Sequence, residues 1–184
     1  GCGYGGSCFP KGVKALEKIA LDAGYSPKLI SAVESVNKAQ KLQLAKKVVS
    51  RLGENLKGKK FAIWGLAFKP GTDDMREAPS INLIRELNER GAEVNVYDPK
   101  AYDQAKFYLN QIDINYFDDK YSVLEDSEAL ILVTEWKEFR SPDFTVIKSK
   151  LKNPIIIDGR NQYNDIQLSQ LGFEYYQIGV FYDK

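Results

Sequence analysis

The sequence predicts an α/β fold: a parallel sheet with helices on both faces, preceded by a helical arm. Three observations predict it. From Lys57 onward, short apolar runs alternate with segments of helical periodicity, the pattern of strands joined by helices. Before Gly53, apolar residues recur only at helical spacing. The composition, 43% hydrophobic and 28% charged over 184 residues, is that of a globular domain with room for a helical appendage, not of a disordered chain. The boundary falls near Gly53, dividing the chain into 1–53 and 54–184.

The first ten residues, Gly1-Cys2-Gly3-Tyr4-Gly5-Gly6-Ser7-Cys8-Phe9-Pro10, are loop by composition. Pro10 opens a helix, Val13, Leu16, Ile19, Ala20 and Ala23 lie on one face, and Gly24 ends it. Ser26-Pro27 starts a second helix as N-cap and proline. Its apolar face runs from Ile30 and Val33 through Leu42, Ala45 and Val48 to Leu52. At about 25 residues and roughly 38 Å, this helix is longer than its own domain needs. A helix of that length joins domains or packs on another subunit. Strands follow at 61–66, 93–97, 114–117, 129–134, 154–158 and 173–178, with helices at 79–90, 103–110, 121–125, 144–150 and 166–171.

Several classes of function are excluded. The net charge of +1, with Lys, Arg and acids interspersed, sets up no field for nucleic acid or an anionic membrane. No apolar run is long enough to span a bilayer. With no histidine, Ser-His-Asp, Cys-His and His-containing zinc chemistry are closed within these residues, and no metal site is expected. Two cysteines do not make a disulfide framework and fit a reducing, cytoplasmic compartment.

Ligands of open parallel sheets bind beyond the carboxyl ends of the strands. The residues just past each expected strand are Lys69 to Arg76, Asp98-Pro99, Thr134-Glu135-Trp136 and Asp158-Gly159-Arg160. One such charge commonly does no more than solvate a loop tip. All of them on one rim, with Lys69 and Arg160 suited to phosphate, point to an anionic nucleotide-like ligand. The match of Gly1-x-Gly3-x-x-Gly6 to a dinucleotide fingerprint is rejected, because no strand precedes it and Asp22 falls in a helical run. The glycines instead let backbone approach a ligand closely and bring Cys8 to a helix N-terminus. That terminus and nearby Lys11 favour a nucleophilic thiolate. The alternative is a buried, inert thiol, and a glycine-rich loop without an apolar flank favours the nucleophile. Cys2 is read as structural or incidental.

These residues carry a resemblance. Gly-Tyr-Gly-Gly-Ser-Cys-Phe-Pro-Lys at 3–11 resembles the catalytic cysteine loop of UDP-glucose dehydrogenases. Gly-Leu-Ala-Phe-Lys-Pro-Gly-Thr-Asp-Asp-Met-Arg-Glu-Ala-Pro-Ser at 65–80 resembles the start of their UDP-binding domain. Thr-Glu-Trp-Lys-Glu-Phe at 134–139 and Asp-Gly-Arg at 158–160 complete a match in order over the whole chain. The resemblance implies that 1–53 belongs to a central, homodimer-forming helical region. It implies that 54–184 is a Rossmann-like domain for the UDP part of the substrate, and that the family's NAD-binding domain lies upstream of these residues. Cys8 would be the nucleophile, with Tyr4 and Gly5 on the substrate. Phe68, Lys69 and Arg160 would contact the nucleotide sugar, while Arg76 and the backbone at Phe9 and Lys11 approach NAD.

The implied reaction oxidises the C6 alcohol of UDP-glucose to the acid with two NAD, serving polysaccharide biosynthesis. Gly12 departs from the pattern, since the family has Asp there to help handle water or protons. Rival readings are a GDP-mannose or UDP-N-acetylmannosamine dehydrogenase, or a nucleotide-sugar-binding and dimerisation module that binds UDP without reducing NAD.

Overall fold

In the computed structural model, which describes residues 1–181, six strands form one sheet with every pairing parallel. They are β1 (Lys60–Trp64), β2 (Glu93–Tyr97), β3 (Ile114–Tyr116), β4 (Ala129–Leu132), β5 (Ile155–Asp158) and β6 (Glu174–Gln177), in the spatial order β3-β2-β1-β4-β5-β6. The all-buried runs Ala-Leu-Ile-Leu and Ile-Ile-Ile-Asp sit centrally because a parallel sheet hides both faces of its inner strands. The half-exposed Ile-Asn-Tyr of β3 takes an edge.

From β1 the chain steps to β2 and β3; from β4 it steps the other way, to β5 and β6. Right-handed crossovers in opposite directions put their helices on opposite faces. Thus α4 (Pro79–Glu89) and α5 (Tyr102–Tyr108) cover one face, and α6 (Phe144–Lys150) and α7 (Asp165–Gln170) the other. Trp64, wholly buried, stacks on Phe139 with centroids 4.8 Å apart.

The arm holds α1 (Cys8–Asp22), α2 (Lys28–Lys41) and α3 (Gln43–Leu52). The single helix expected from Pro27 to Leu52 is therefore two. At Leu42 the backbone amide bonds back three residues to the Ala39 carbonyl, which also accepts from the Gln43 side chain. That tightened turn re-aims the chain, so Leu44, Ala45 and Val48 of α3 are buried beside α4 and β5. Burying Leu44 and Val48 contributes about 1.5–3 kcal/mol each. The face that α2 buries is polar instead: Glu34, Asn37 and Lys41.

Three smaller expectations also change. The first helix begins at Cys8 rather than Pro10. Pro27 is the N-cap of α2, not its first residue, and Lys28 N–H bonds to the Ser26 carbonyl. The helix expected at 121–125 is one 3₁₀ turn, Ser122–Leu124.

Candidate functional site

Because the chain departs in opposite directions from β1 and β4, the loops beyond these neighbouring strands diverge and open a crevice. Thr134 Oγ1 donates to the Ala67 carbonyl at 2.5 Å and pins the two loops at its base. The strand-end carboxylates do not face a ligand. Asp98 accepts from the amides of Leu66, Ala67, Lys100 and Ala101 and from Trp136 Nε1. Asp158 accepts from Arg160 N, Gln162 N and the Tyr175 hydroxyl. Both are buried loop anchors, which leaves the cations to meet an anion.

Arg160 crosses the crevice. Its Nε donates to Val133 O at 2.6 Å and lies 2.9 Å from the Glu135 carboxylate; Nη2 donates to Phe68 O at 3.4 Å. The loops after β1, β4 and β5 thus share one guanidinium. Lys69 is exposed, its ammonium 5.2 Å from the Phe68 ring centre.

The glycine loop is packed onto this crevice. Gly6 N–H donates to Arg76 O at 2.7 Å. A Cβ on Gly5 would stand 2.5 Å from the Glu77 carbonyl oxygen, and one on Gly6 2.8 Å from the Phe68 ring. Only glycine permits that approach. Tyr4 is clamped to α2, its backbone amide and carbonyl bonded to the Asn37 side chain and its hydroxyl 2.7 Å from Glu34. Burial and that carboxylate push its phenol up to about 12. Phe9 is exposed, with its ring edge-on to Tyr4 at 4.8 Å.

Cys8 is exposed as the first residue of α1, with Ser7 Oγ 3.6 Å from its sulfur. Cys2 is fully buried near the Val133 carbonyl, and desolvation pushes its thiol up. Of the two sulfurs, only Cys8 offers itself to a reactant.

Two clefts flank the loop. The first, about 660 Å³, is lined by Tyr4 and Arg160 and by Leu29, Val33, Val36 and Asn37 of α2. Tyr4 and Arg160, paired by the expected site, line it together; Lys69 does not. The second, about 480 Å³, is bordered by Ser7, Lys11, Lys14, Lys18, Arg76 and Glu77. It brings Lys11 and Arg76 together, and spacings of three and four place all three lysines on one side of α1. Arg76 is held by a two-pronged contact to Asp74, at 2.9 and 2.8 Å, which lowers the carboxyl of Asp74.

Four residues escaped the sequence reading: Glu34, Asn37, Lys41 and Glu77. The first three formed a legible signal, polar side chains at intervals of three and four where a helix would bury apolar ones. Glu77 left none.

The sequence model of the UDP-glucose/GDP-mannose dehydrogenase family, UDP binding domain, matches residues 62–165. The model of the same family's central domain matches residues 1–39. The chain is 43% identical to the UDP-glucose 6-dehydrogenase of Pseudomonas aeruginosa, over 97% of its own length and 40% of the relative's. It is 40% identical to the UDP-glucose 6-dehydrogenase TuaD of Bacillus subtilis, covering 97% of itself and 38% of that protein. It thus spans about two-fifths of the length of these curated relatives. Among solved structures, a UDP-glucose dehydrogenase from the archaeon Pyrobaculum islandicum superposes with a TM-score of 0.80 at 32% identity, over 96% of this chain and 38% of that one. An NDP-N-acetyl-D-galactosaminuronic acid dehydrogenase from Methanosarcina mazei gives 0.79 at 27% identity, covering 97% and 39%.

Proposed function

Because the chain belongs to the UDP-glucose/GDP-mannose dehydrogenase family, we propose that it forms part of an NAD-dependent UDP-glucose 6-dehydrogenase, with Cys8 as nucleophile. The observation that carries this reading is the Gly6–Arg76 bond, which seats the cysteine loop on the crevice of the sheet. Residues 1–53 then supply the cysteine and a dimer-forming arm, and 54–184 hold the nucleotide sugar. Similarity to curated UDP-glucose 6-dehydrogenases supports UDP-glucose over GDP-mannose or UDP-N-acetylmannosamine.

In this reading Arg160, Lys69 and Phe68 hold the nucleotide sugar, while Tyr4 and Gly5 line the path to Cys8. The C6 alcohol first loses a hydride from carbon and a proton from oxygen to become an aldehyde; the sulfur then adds to it, forming a C–S bond as the carbonyl oxygen takes a proton. Oxidation at that carbon gives a thioester. Water then breaks the C–S bond, releasing the acid and returning the thiol. Arg76 and the backbone at Phe9 and Lys11 would hold NAD, which when bound would supply the hydride acceptor for both oxidations. Exposed Leu16, Ile19, Leu29 and Val36 on the arm support pairing with a second copy. Among the described residues no helix is long and apolar enough to cross a membrane. The proposed setting is the cytoplasm.

Calorimetry of these 184 residues with UDP-glucose and with GDP-mannose, beside an NAD-reduction assay, tests the reading. UDP-glucose is expected to bind, GDP-mannose not to, and NAD to remain oxidised until the rest of the enzyme is supplied. Equal binding of both sugars, or of neither, sinks it.

A further inference from the structure

The carboxylate of Glu77 is shared between two helices of the arm. Oε1 lies 2.5 Å from Lys14 Nζ of α1, and Oε2 lies 3.0 Å from Lys41 Nζ of α2. Among the described residues, the ion pairs that join α1 or α2 to the sheet domain both end on this one side chain. Lys41 is only 4% exposed, and its stem packs under the cysteine loop, 2.8 Å from where Gly3 would carry a Cβ. An ammonium so buried requires a partner charge. Lys14 and Lys41 accordingly hold the Glu77 carboxyl below its usual range.

The backbone at the same point faces the other way. The Arg76 carbonyl accepts Gly6 N–H, and the Glu77 carbonyl occupies the space that a side chain at Gly5 would need. Glu77 itself sits at φ 55°, a conformation that a non-glycine residue keeps only when its surroundings hold it. The β1–α4 loop therefore carries Phe68 and Lys69 at its start and this three-way junction at its end. Its geometry is transmitted to the residues just before Cys8.

We propose that Glu77 is a positioning residue, fixing the cysteine loop against the β1–α4 loop so that Cys8 stays in register with a nucleotide sugar bound there. This rests on reading Cys8 and the crevice as one site. Displacements near an ångström are enough to uncouple a reacting group from its target.

The experiment reads Cys8 alkylation by iodoacetamide through peptide mass spectrometry, with buried Cys2 as internal control. Saturating UDP-glucose is expected to shield Cys8 in the unsubstituted chain. In Glu77→Gln, UDP-glucose is expected to bind within about threefold of the original affinity, yet its shielding to fall about tenfold. Because Glu77→Gln leaves Lys41 unneutralised and can unfold the arm, Lys41→Met/Glu77→Gln serves as a second variant. Recovered thermal stability with shielding still lost supports positioning. Shielding that returns in the double variant, or never falls in the single one, overturns the proposal and leaves the site reading intact. Lost UDP-glucose affinity in both variants also overturns it, since Glu77 would then act on binding. No shielding in the unsubstituted chain removes the site reading itself, and this inference with it.

Discussion

The amide of Gly6 donates to the carbonyl of Arg76 at 2.7 Å, joining the loop of the candidate nucleophile to the loop of the candidate nucleotide site. These residues lie seventy positions apart, and the approach tolerates no side chain at Gly5, next to Gly6. The loop geometry therefore depends on atoms that are absent.

Two glycines are expected to respond oppositely to alanine. At Gly5 the new Cβ collides with the Glu77 backbone, so Gly5→Ala is expected to cost about 1–3 kcal/mol. At Gly12, inside α1, nothing lies within 4 Å of a Cβ. Gly12→Ala is thus expected to stabilise by about 0.5–1 kcal/mol. Urea unfolding of both variants checks the pair; equal effects would contradict the packing described.

Arg160 and Lys69 separate affinity from architecture. Lys69→Ala is expected to weaken UDP binding about tenfold while leaving the melting temperature near its original value. Arg160→Ala removes contacts to Val133, Glu135 and Phe68 as well, so both affinity and melting temperature are expected to fall. Calorimetry with thermal melts distinguishes them, and an unchanged affinity for Lys69→Ala takes Lys69 out of the site.

In the complete enzyme, Cys8→Ser is expected to stop acid formation while sparing UDP-glucose binding, because serine lacks an activating base here. The space around Gly12 admits a carboxylate. Gly12→Asp is expected to speed thioester hydrolysis, by about 10²–10⁴ if that group manages the water. Quenched-enzyme mass spectrometry reads the adduct on Cys8. No adduct before the substitution and no gain after it would mean Gly12 costs nothing.

Acid is expected to loosen the junction. Glu77 in the folded chain titrates below its ordinary 4.5, through Lys14 first and Lys41 second. Its contribution is present above that ordinary value and is lost as pH falls through the lower folded one. Glu174 beside Arg51 behaves in the same sense. Glu77→Gln is expected to be less stable than the original at pH 6, with the difference shrinking towards pH 3. A constant difference across that range, in denaturant titrations, would show that the carboxylate's charge is not what matters.

Assembly has its own measurement. Leu29 and Val36 of α2, which also border the larger cleft, are 77% and 65% exposed, and Leu16 and Ile19 are likewise exposed on α1. Sedimentation at micromolar concentration is expected to show a dimer, and Leu29→Glu/Val36→Glu to return it to monomer. A monomer before substitution would count against pairing through these residues.

Local order was written plainly in the chain. The buried runs at Ile131 and Ile156, the helix opened by Pro79 and the glycines around Tyr4 each reveal their element because periodicity and special residues act over a few positions. The sequence by itself determined the parallel α/β class, the exposed cysteine and the loop that carries it. The tertiary structure decided what each face meets. Glu34, Asn37 and Lys41 became interior because the cysteine loop and Glu77 offered them partners, and the helix broke at Leu42 so that α3 could reach the sheet. Asp98 and Asp158, legible as strand-end acids, turned inward because freed loop amides needed acceptors. Periodicity records which side of an element is apolar, whereas burial of a polar group depends on partners supplied from far along the chain.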